Sequence, residues 1–258
     1  MNRSPLALDL AGKLAVVTGG SGELGRRICE TLARCGADVA IGYYENEEAA
    51  TSVAQGLTAL GRRAIAAQVD VNEERSVQDF AAAVQSRLGA PSIVVANAVV
   101  QIHPWKSVLE EEISKYESQF RSCVLHSVFL AKAFVPAMIE RSFGRFIAIN
   151  TECTMQLLPT YSAYTAGKRG MDAVMRVLAR EVGQHNITVN QVAPGWTISD
   201  KDQITPGNDA DYVSQVPLRR RGTDQEIANV VAFLASDLAS YVHGAFVPVC
   251  GGNVMPTV

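Results

Sequence analysis

Residues 13–25 read KLAVVTGGSGELG, an apolar run of strand length followed by a turn carrying four glycines. Leu14–Val17 show no polar alternation, so a strand built from them is buried on both faces, as in a parallel sheet covered by helices. The glycines at 19, 22 and 25 allow φ > 0 and let backbone N–H groups approach an anion closely. Residues 24–35 then carry a helical apolar pattern, and the helix N-terminus adds partial positive charge at the same point. A buried strand, a glycine turn and a helix in this order predict a phosphate-binding crevice at the edge of an α/β sheet.

The same alternation continues along the chain. Strands are expected at 13–19, 37–43, 63–69, 92–97, 144–150, 187–193 and 245–249, and helices near 24–35, 46–60, 73–88, 108–140, 161–184 and 224–236. This pattern predicts one α/β domain over residues 1–258: a doubly wound, Rossmann-type parallel sheet of seven strands with helices on both faces. Residues 194–222 break the rhythm with prolines, glycines and many polar side chains. Their place beyond a strand's carboxyl end marks them as a substrate lid.

Of 258 residues, 48% are apolar and 19% charged, with a formal net charge of -3 and no block of Lys or Arg. That balance argues against a nucleic-acid or anionic-membrane partner, which needs a concentrated basic surface. The five cysteines, Cys29, Cys35, Cys123, Cys153 and Cys250, form no CxxC pair and no metal-ligand spacing. They read as reduced thiols, with no metal site. Residues 1–13 lack the apolar core of a secretory signal, and no apolar run reaches the roughly 20 residues of a membrane helix. A cytoplasmic location is expected.

The chemistry centres on Tyr164 and Lys168, four residues apart on an expected helix. That spacing puts them on one face, about 5–6 Å apart at Cβ. Hydride delivery to a carbonyl carbon requires a proton at its oxygen, which a phenol can supply. A free tyrosine titrates near pH ~10, and a nearby ammonium is expected to bring that value down. Thr151, thirteen residues upstream at the end of GRFIAIN, offers a hydroxyl to the same oxygen. Asp70-Val71, Asn97-Ala98 and Pro194-Gly195-Trp196-Thr197 follow the third, fourth and sixth strands, at the same sheet edge.

Together these motifs resemble the short-chain dehydrogenase/reductase family over nearly the whole chain. They are most like its compact branch and similar to the 3-oxoacyl-carrier-protein reductases. The resemblance implies that Gly19, Ser21, Gly22, Leu24 and Gly25 cradle the cofactor pyrophosphate and that Asp70 and Val71 lie at the adenine. It implies further cofactor contacts from Asn97 and Ala98, from Pro194 and Gly195 at the nicotinamide, from the Thr197 hydroxyl, and from Tyr164 and Lys168 at the ribose. The implied reaction transfers a hydride between NAD(P)(H) and a carbonyl or secondary alcohol, on a small molecule such as a 3-oxoacyl thioester. Tyr164 is the implied proton donor, Lys168 lowers its pKa, and Thr151 orients the carbonyl.

The region after the second strand, Gly42-Tyr43-Tyr44-Glu45-Asn46, has no acid immediately past the strand, which favours NADP(H) over NAD(H). The family also implies a homotetramer or dimer. Trp105, Met155, Leu157 and Trp196 are expected to border the substrate cleft, and Arg141, Arg145 and Arg169 are the basic candidates for an acyl carrier. Five positions depart from the family pattern: Glu23 for a turn glycine, Val99 in the NNAG segment, Thr151 for serine, Cys250 for aspartate and Val124 for asparagine. That asparagine anchors a water linking the lysine to solvent, and His126 or Ser122 are the polar neighbours here. These departures motivate the alternative of a nucleotide-binding regulator or scaffold with weak catalysis.

Overall fold

The structure, a computed structural model, describes residues 8–100, 104–199 and 209–256. Seven strands, β1 (Leu14–Thr18), β2 (Asp38–Tyr43), β3 (Ala64–Gln68), β4 (Ile93–Ala96), β5 (Gly144–Ile149), β6 (Ile187–Pro194) and β9 (Phe246–Val249), form one sheet. Their order is β3-β2-β1-β4-β5-β6-β9 and every pairing is parallel. Strand order reverses between β1 and β4, so the crevice where ligands bind in such sheets opens above Thr18 and Ala96. All seven expected strands and their doubly wound order are present.

Period-two alternation sends successive strand side chains into two separate cores. Ala15 and Val17 of β1 face one core, with α1 (Glu23–Arg34), α2 (Glu47–Ala59) and the helix Asp224–Ala235. Leu14 and Val16 face the other, with α3 (Glu74–Leu88) and the helices His126–Arg141 and Ser162–Val182.

The single helix expected over 108–140 begins later and changes pitch. It runs as α4 (Ile113–Gln119), a π-helical stretch (Phe120–Leu125) and α5 (His126–Arg141). By length and composition this helix could cross a membrane, contrary to the expectation that no apolar run is long enough. Its Leu130, Phe134, Val135 and Met138 are buried inside the fold, where the helix packs against β4, β5 and α7 (Ser162–Val182), while Ile113 and Phe120 are exposed. The approach to α7 is close. A Cβ on Gly167 would stand 2.7 Å from the Gln119 carbonyl oxygen, and one on Gly170 would stand 2.7 Å from Val124 Cγ2.

Two short helices were not expected: α6 (Cys153–Gln156), ended by Leu157 at φ 54, and α8 (Ala210–Gln215). Residues 194–199 and 209–222, the described parts of the stretch 194–222, are also more ordered than its composition suggests. A two-stranded parallel ladder, β7 (Thr197–Ile198) on β8 (Gly222–Thr223), closes its base, and α9 (Asp224–Ala235) follows. Residues 200–208 of the expected lid lie outside the described residues.

Candidate active site

At the reversal point the glycine turn is stapled to β4. Buried Thr18 donates its hydroxyl to the Val95 carbonyl (3.4 Å) and accepts from the N–H groups of Asn97 (3.1 Å) and Ala98 (3.2 Å). Asn97 Nδ2 donates to the carbonyls of Thr18 (2.9 Å) and Gly19 (3.3 Å). Gly19 has φ +62, and a Cβ on Gly25 would stand 2.1 Å from the Gly19 carbonyl oxygen. Helix α1 can therefore meet the turn only because Gly25 has no side chain. Its N-cap is Gly22, which supplies no capping side chain. A helix N-terminus without a side-chain cap, behind a turn of bare backbone, fits a pyrophosphate. Ser21 is half-buried at the turn, Leu24 packs onto the core, and Glu23 is the half-buried first residue of α1.

Asp70 follows β3 and forms an Asx-type turn into α3. Its Oδ1 accepts from the Asn72 backbone N–H and Nδ2, both at 2.9 Å, while its own N–H donates to Ser76 Oγ (2.9 Å). Val71 beside it is buried. Tyr43, the last residue of β2, is buried, Tyr44 past it is exposed, and Asn46 caps α2 through the Ala49 N–H. Arg26 pairs with Glu30 on its own helix at 3.0 Å.

The polar trio meets where β5 ends and α7 begins. Thr151 is buried just past β5, where its Oγ1 accepts from the Cys153 N–H (3.2 Å). Lys168, also buried, donates from Nζ to the Ile149 carbonyl (2.7 Å), and Nζ lies 5.9 Å from the centre of the Tyr164 ring. Burial pushes the phenol above its ordinary pKa, the neighbouring Cys153 and Cys123 push it the same way, and the Thr151 hydrogen bond opposes them. Burial also lowers the Lys168 ammonium. Desolvation thus outweighs the lowering expected from Lys168, whose ammonium donates to a backbone carbonyl.

Around the trio, Trp105 lies against both Tyr164 (centroids 6.0 Å, 32° between planes) and Tyr161 (6.3 Å, 37°). The loop carrying it is held by Lys115, which pairs with buried Glu111 (3.3 Å) and donates to the Pro104 carbonyl (2.5 Å). Val124 packs into the notch at Gly170. His126 is buried, with Nδ1 3.2 Å from the Ser122 carbonyl. Burial, and then the charge of Lys168, lower its pKa to about 3, so the imidazole is neutral.

The segment after β6 is fixed by a buried carboxylate. Glu152 accepts from Tyr212 Oη (2.8 Å) and Asn253 Nδ2 (3.0 Å), and burial raises its pKa. The Trp196 N–H donates to the same Tyr212 oxygen (2.9 Å), and a Cβ on Gly195 would come within 2.5 Å of it. Pro194 ends β6, and Gly195 donates to the Val249 carbonyl (3.1 Å). Trp196 stands between Tyr212 (5.5 Å, edge-on) and the Arg221 guanidinium (4.2 Å). Thr197 is half-buried in β7, and Arg221 donates to its carbonyl.

The structure brings the turn, Asn97-Ala98, Thr151, Tyr164, Lys168 and 194–197 to one edge. It does not bring Arg141 and Arg145 there. Arg145 opens β5 at the opposite edge, buried beside the Phe143 ring (4.3 Å) and Asp237 (3.2 Å), and Arg141 donates to the Ala90 carbonyl (2.6 Å). Only Arg169, exposed on α7, is left of that basic set. Thr18, Asn150 and Gln191 were missed, although a polar residue inside an apolar strand run is a readable signal. Tyr212 carried no such mark, because its partner Glu152 lies 60 residues away.

A family model described as enoyl-(acyl carrier protein) reductase matches residues 21–253. The 3-oxoacyl-(acyl-carrier-protein) reductase of Pseudomonas aeruginosa is 36% identical, over 96% of this chain and 100% of its own. The L-rhamnose 1-dehydrogenase (NAD(P)(+)) of a Sphingomonas species is 33% identical, over 94% and 96%. Among solved structures, a 7α-hydroxysteroid dehydrogenase complexed with NADH and 7-oxo glycochenodeoxycholic acid superposes with a TM-score of 0.88 at 28% identity, covering 96% of this chain and 97% of its own.

Proposed function

Because the chain belongs to the short-chain dehydrogenase/reductase family, an NAD(P)-dependent class acting on carbonyl and CH–OH groups, we propose that it reduces a ketone with NADP(H), the substrate being a 3-oxoacyl thioester or a related small ketone. The observation that carries this reading is the gathering of Thr151, Tyr164 and buried Lys168, whose Nζ lies 5.9 Å from the Tyr164 ring, at the same carboxyl edge of the sheet as the glycine turn. When bound, the nicotinamide supplies the hydride. Tyr164 passes its phenolic proton to the carbonyl oxygen, and burial holds that proton in place until the oxygen arrives. Thr151 hydrogen-bonds the same oxygen and orients it, and the buried Lys168 charge offsets the phenolate that forms.

Gly19, Ser21, Gly22, Leu24 and Gly25 hold the pyrophosphate, with the Thr197 hydroxyl, while Asp70 and Val71 line the adenine end. Asn97, Ala98, Pro194 and Gly195, with Tyr164 and Lys168, hold the nicotinamide half. NADP(H) is assigned because β2 ends in Tyr43 and is followed by Tyr44 rather than by an acid that would repel a 2′-phosphate. The chain works as one domain with residues 194–222 as its lid, in the cytoplasm, as a homotetramer or dimer.

Following NADPH absorbance with a panel of 3-oxoacyl thioesters and simple ketones tests the reading. Turnover is expected, faster with NADPH than NADH, and largely lost in Tyr164→Phe. NADPH binding without turnover on any ketone, unchanged by that substitution, would instead establish a nucleotide-binding regulator.

A further inference from the structure

Three side chains with no part in the proposed chemistry form a continuous hydrogen-bonded line from the surface to the reactive backbone. On the outer flank of α7, Arg176 Nε donates to Asp172 Oδ1 (2.8 Å). The same Asp172 oxygen accepts from Gln191 Nε2 (2.7 Å). Gln191 Oε1 accepts from Asn150 Nδ2 (2.7 Å), which also donates to the Lys168 carbonyl (3.3 Å). Asn150 Oδ1 accepts from the Thr151 N–H (2.8 Å). Asn150 and Gln191 are each only 2% exposed, so water does not compete for these bonds.

The line has a direction, and Asp172 sets it. A carboxylate only accepts, so Gln191 must turn its NH₂ toward Asp172 and its oxygen toward Asn150. Asn150 must then present its NH₂ to Gln191 and Lys168, which leaves its oxygen for the Thr151 N–H. A flip of either amide would set donor against donor and acceptor against acceptor in a buried site, where unmatched polar groups are costly.

We propose that Asp172, Gln191 and Asn150 are positioning residues: the Asp172 charge orients two buried amides, and these hold the Thr151 and Lys168 backbones at the spacing the Tyr164 site needs. The proposal rests on the functional reading above for its kinetic consequence, though not for its structural one. Misplacement of a reacting group by ~1 Å lowers a rate by up to about a hundredfold, and Thr151 is tethered by this line at its own N–H.

Two variants test it. Gln191→Leu removes both bonds while filling similar space. The pair Asp172→Asn with Gln191→Glu exchanges the roles at the two positions, since the new amide donates to the new carboxylate, which still accepts from Asn150. The exposed Arg176 pair lost in that exchange contributes little. Gln191→Leu is expected to lower kcat about tenfold to a hundredfold with NADPH Kd unchanged, and to speed amide hydrogen exchange at Thr151. The double variant should restore both toward wild type. A purely structural role would lower Tm in Gln191→Leu yet leave the folded enzyme's kcat and Thr151 exchange unchanged, and that result overturns the proposal. So does a double variant as slow as Gln191→Leu. If the wild type turns over no ketone, the functional reading fails, while Thr151 exchange in the two variants still decides the positioning.

Discussion

Tyr164 is held protonated by its surroundings, since burial raises its phenol and only the Thr151 hydrogen bond works the other way. A raised acid pKa keeps the protonated form dominant at neutral pH, which suits carbonyl reduction and opposes alcohol oxidation, where a phenolate must accept the proton. On the proposed reading, kcat/KM for alcohol oxidation should climb with pH through the alkaline range, while reduction stays level to high pH; paired pH–rate profiles check this. Tyr164→Phe should lower kcat for reduction by roughly 10²–10⁴-fold, the usual worth of a positioned proton donor. Gly25 admits no side chain, because a Cβ would stand 2.1 Å from the Gly19 carbonyl oxygen. Gly25→Ala should abolish the rise in Tm that NADPH gives the wild type. Tyr164, Lys168, Thr151 and the glycines were legible in the sequence because each sits at a fixed offset from a strand end. Their pKa relation was not. It depends on how far the fold takes the phenol and the ammonium out of water and on Lys168 reaching the Ile149 carbonyl, and residue spacing carries neither.

At the scale of elements, the seven strands were readable because two-sided burial leaves unbroken apolar runs, and the helices were readable from their period. The π-helical stretch Phe120–Leu125 was not, since a widened turn needs no special composition. Its consequence is the tight seating of Val124 against Gly170. Gly170→Ala should therefore destabilise by about 1–3 kcal/mol through overpacking, and Val124→Ala in the same chain should recover most of the loss, as read by chemical denaturation of the four-member cycle. Helix α9 starts with a capping box in which Thr223 Oγ1 accepts from the Glu226 N–H (3.2 Å) and Glu226 Oε2 accepts from the Thr223 N–H (2.9 Å). Thr223→Ala should cost ~1 kcal/mol. Hydrogen bonds from Arg220 and Thr223 lower the Glu226 carboxyl to about 2. A depressed carboxylate stabilises above its unfolded value and loses that contribution as pH falls. That contribution should thus fade between the ordinary carboxylate range and about pH 2, seen as a flatter acid limb in Arg220→Ala, which removes the largest cause of the depression.

Across the whole molecule, the sheet divides the interior into two cores, and the carboxyl edge gathers residues from every third of the chain. Ligand binding at that edge should stabilise both cores together. At a hundredfold excess of NADPH over its Kd the gain is about 2.7 kcal/mol, or about 5 °C in Tm for a chain of this size. The organisation of the sheet was legible because parallel order follows from alternation. The anchoring of the segment around Tyr212 was not, because the Glu152–Tyr212 contact joins segments 60 residues apart. The chain has only two tryptophans, and both stand at this edge, Trp105 against Tyr164 and Trp196 against Tyr212. Its indole emission therefore originates entirely at the candidate cleft. Reduced nicotinamide absorbs in the band where indoles emit, so energy transfer would dim both residues as the crevice fills, and the protein carries its own optical gauge of occupancy with no label attached.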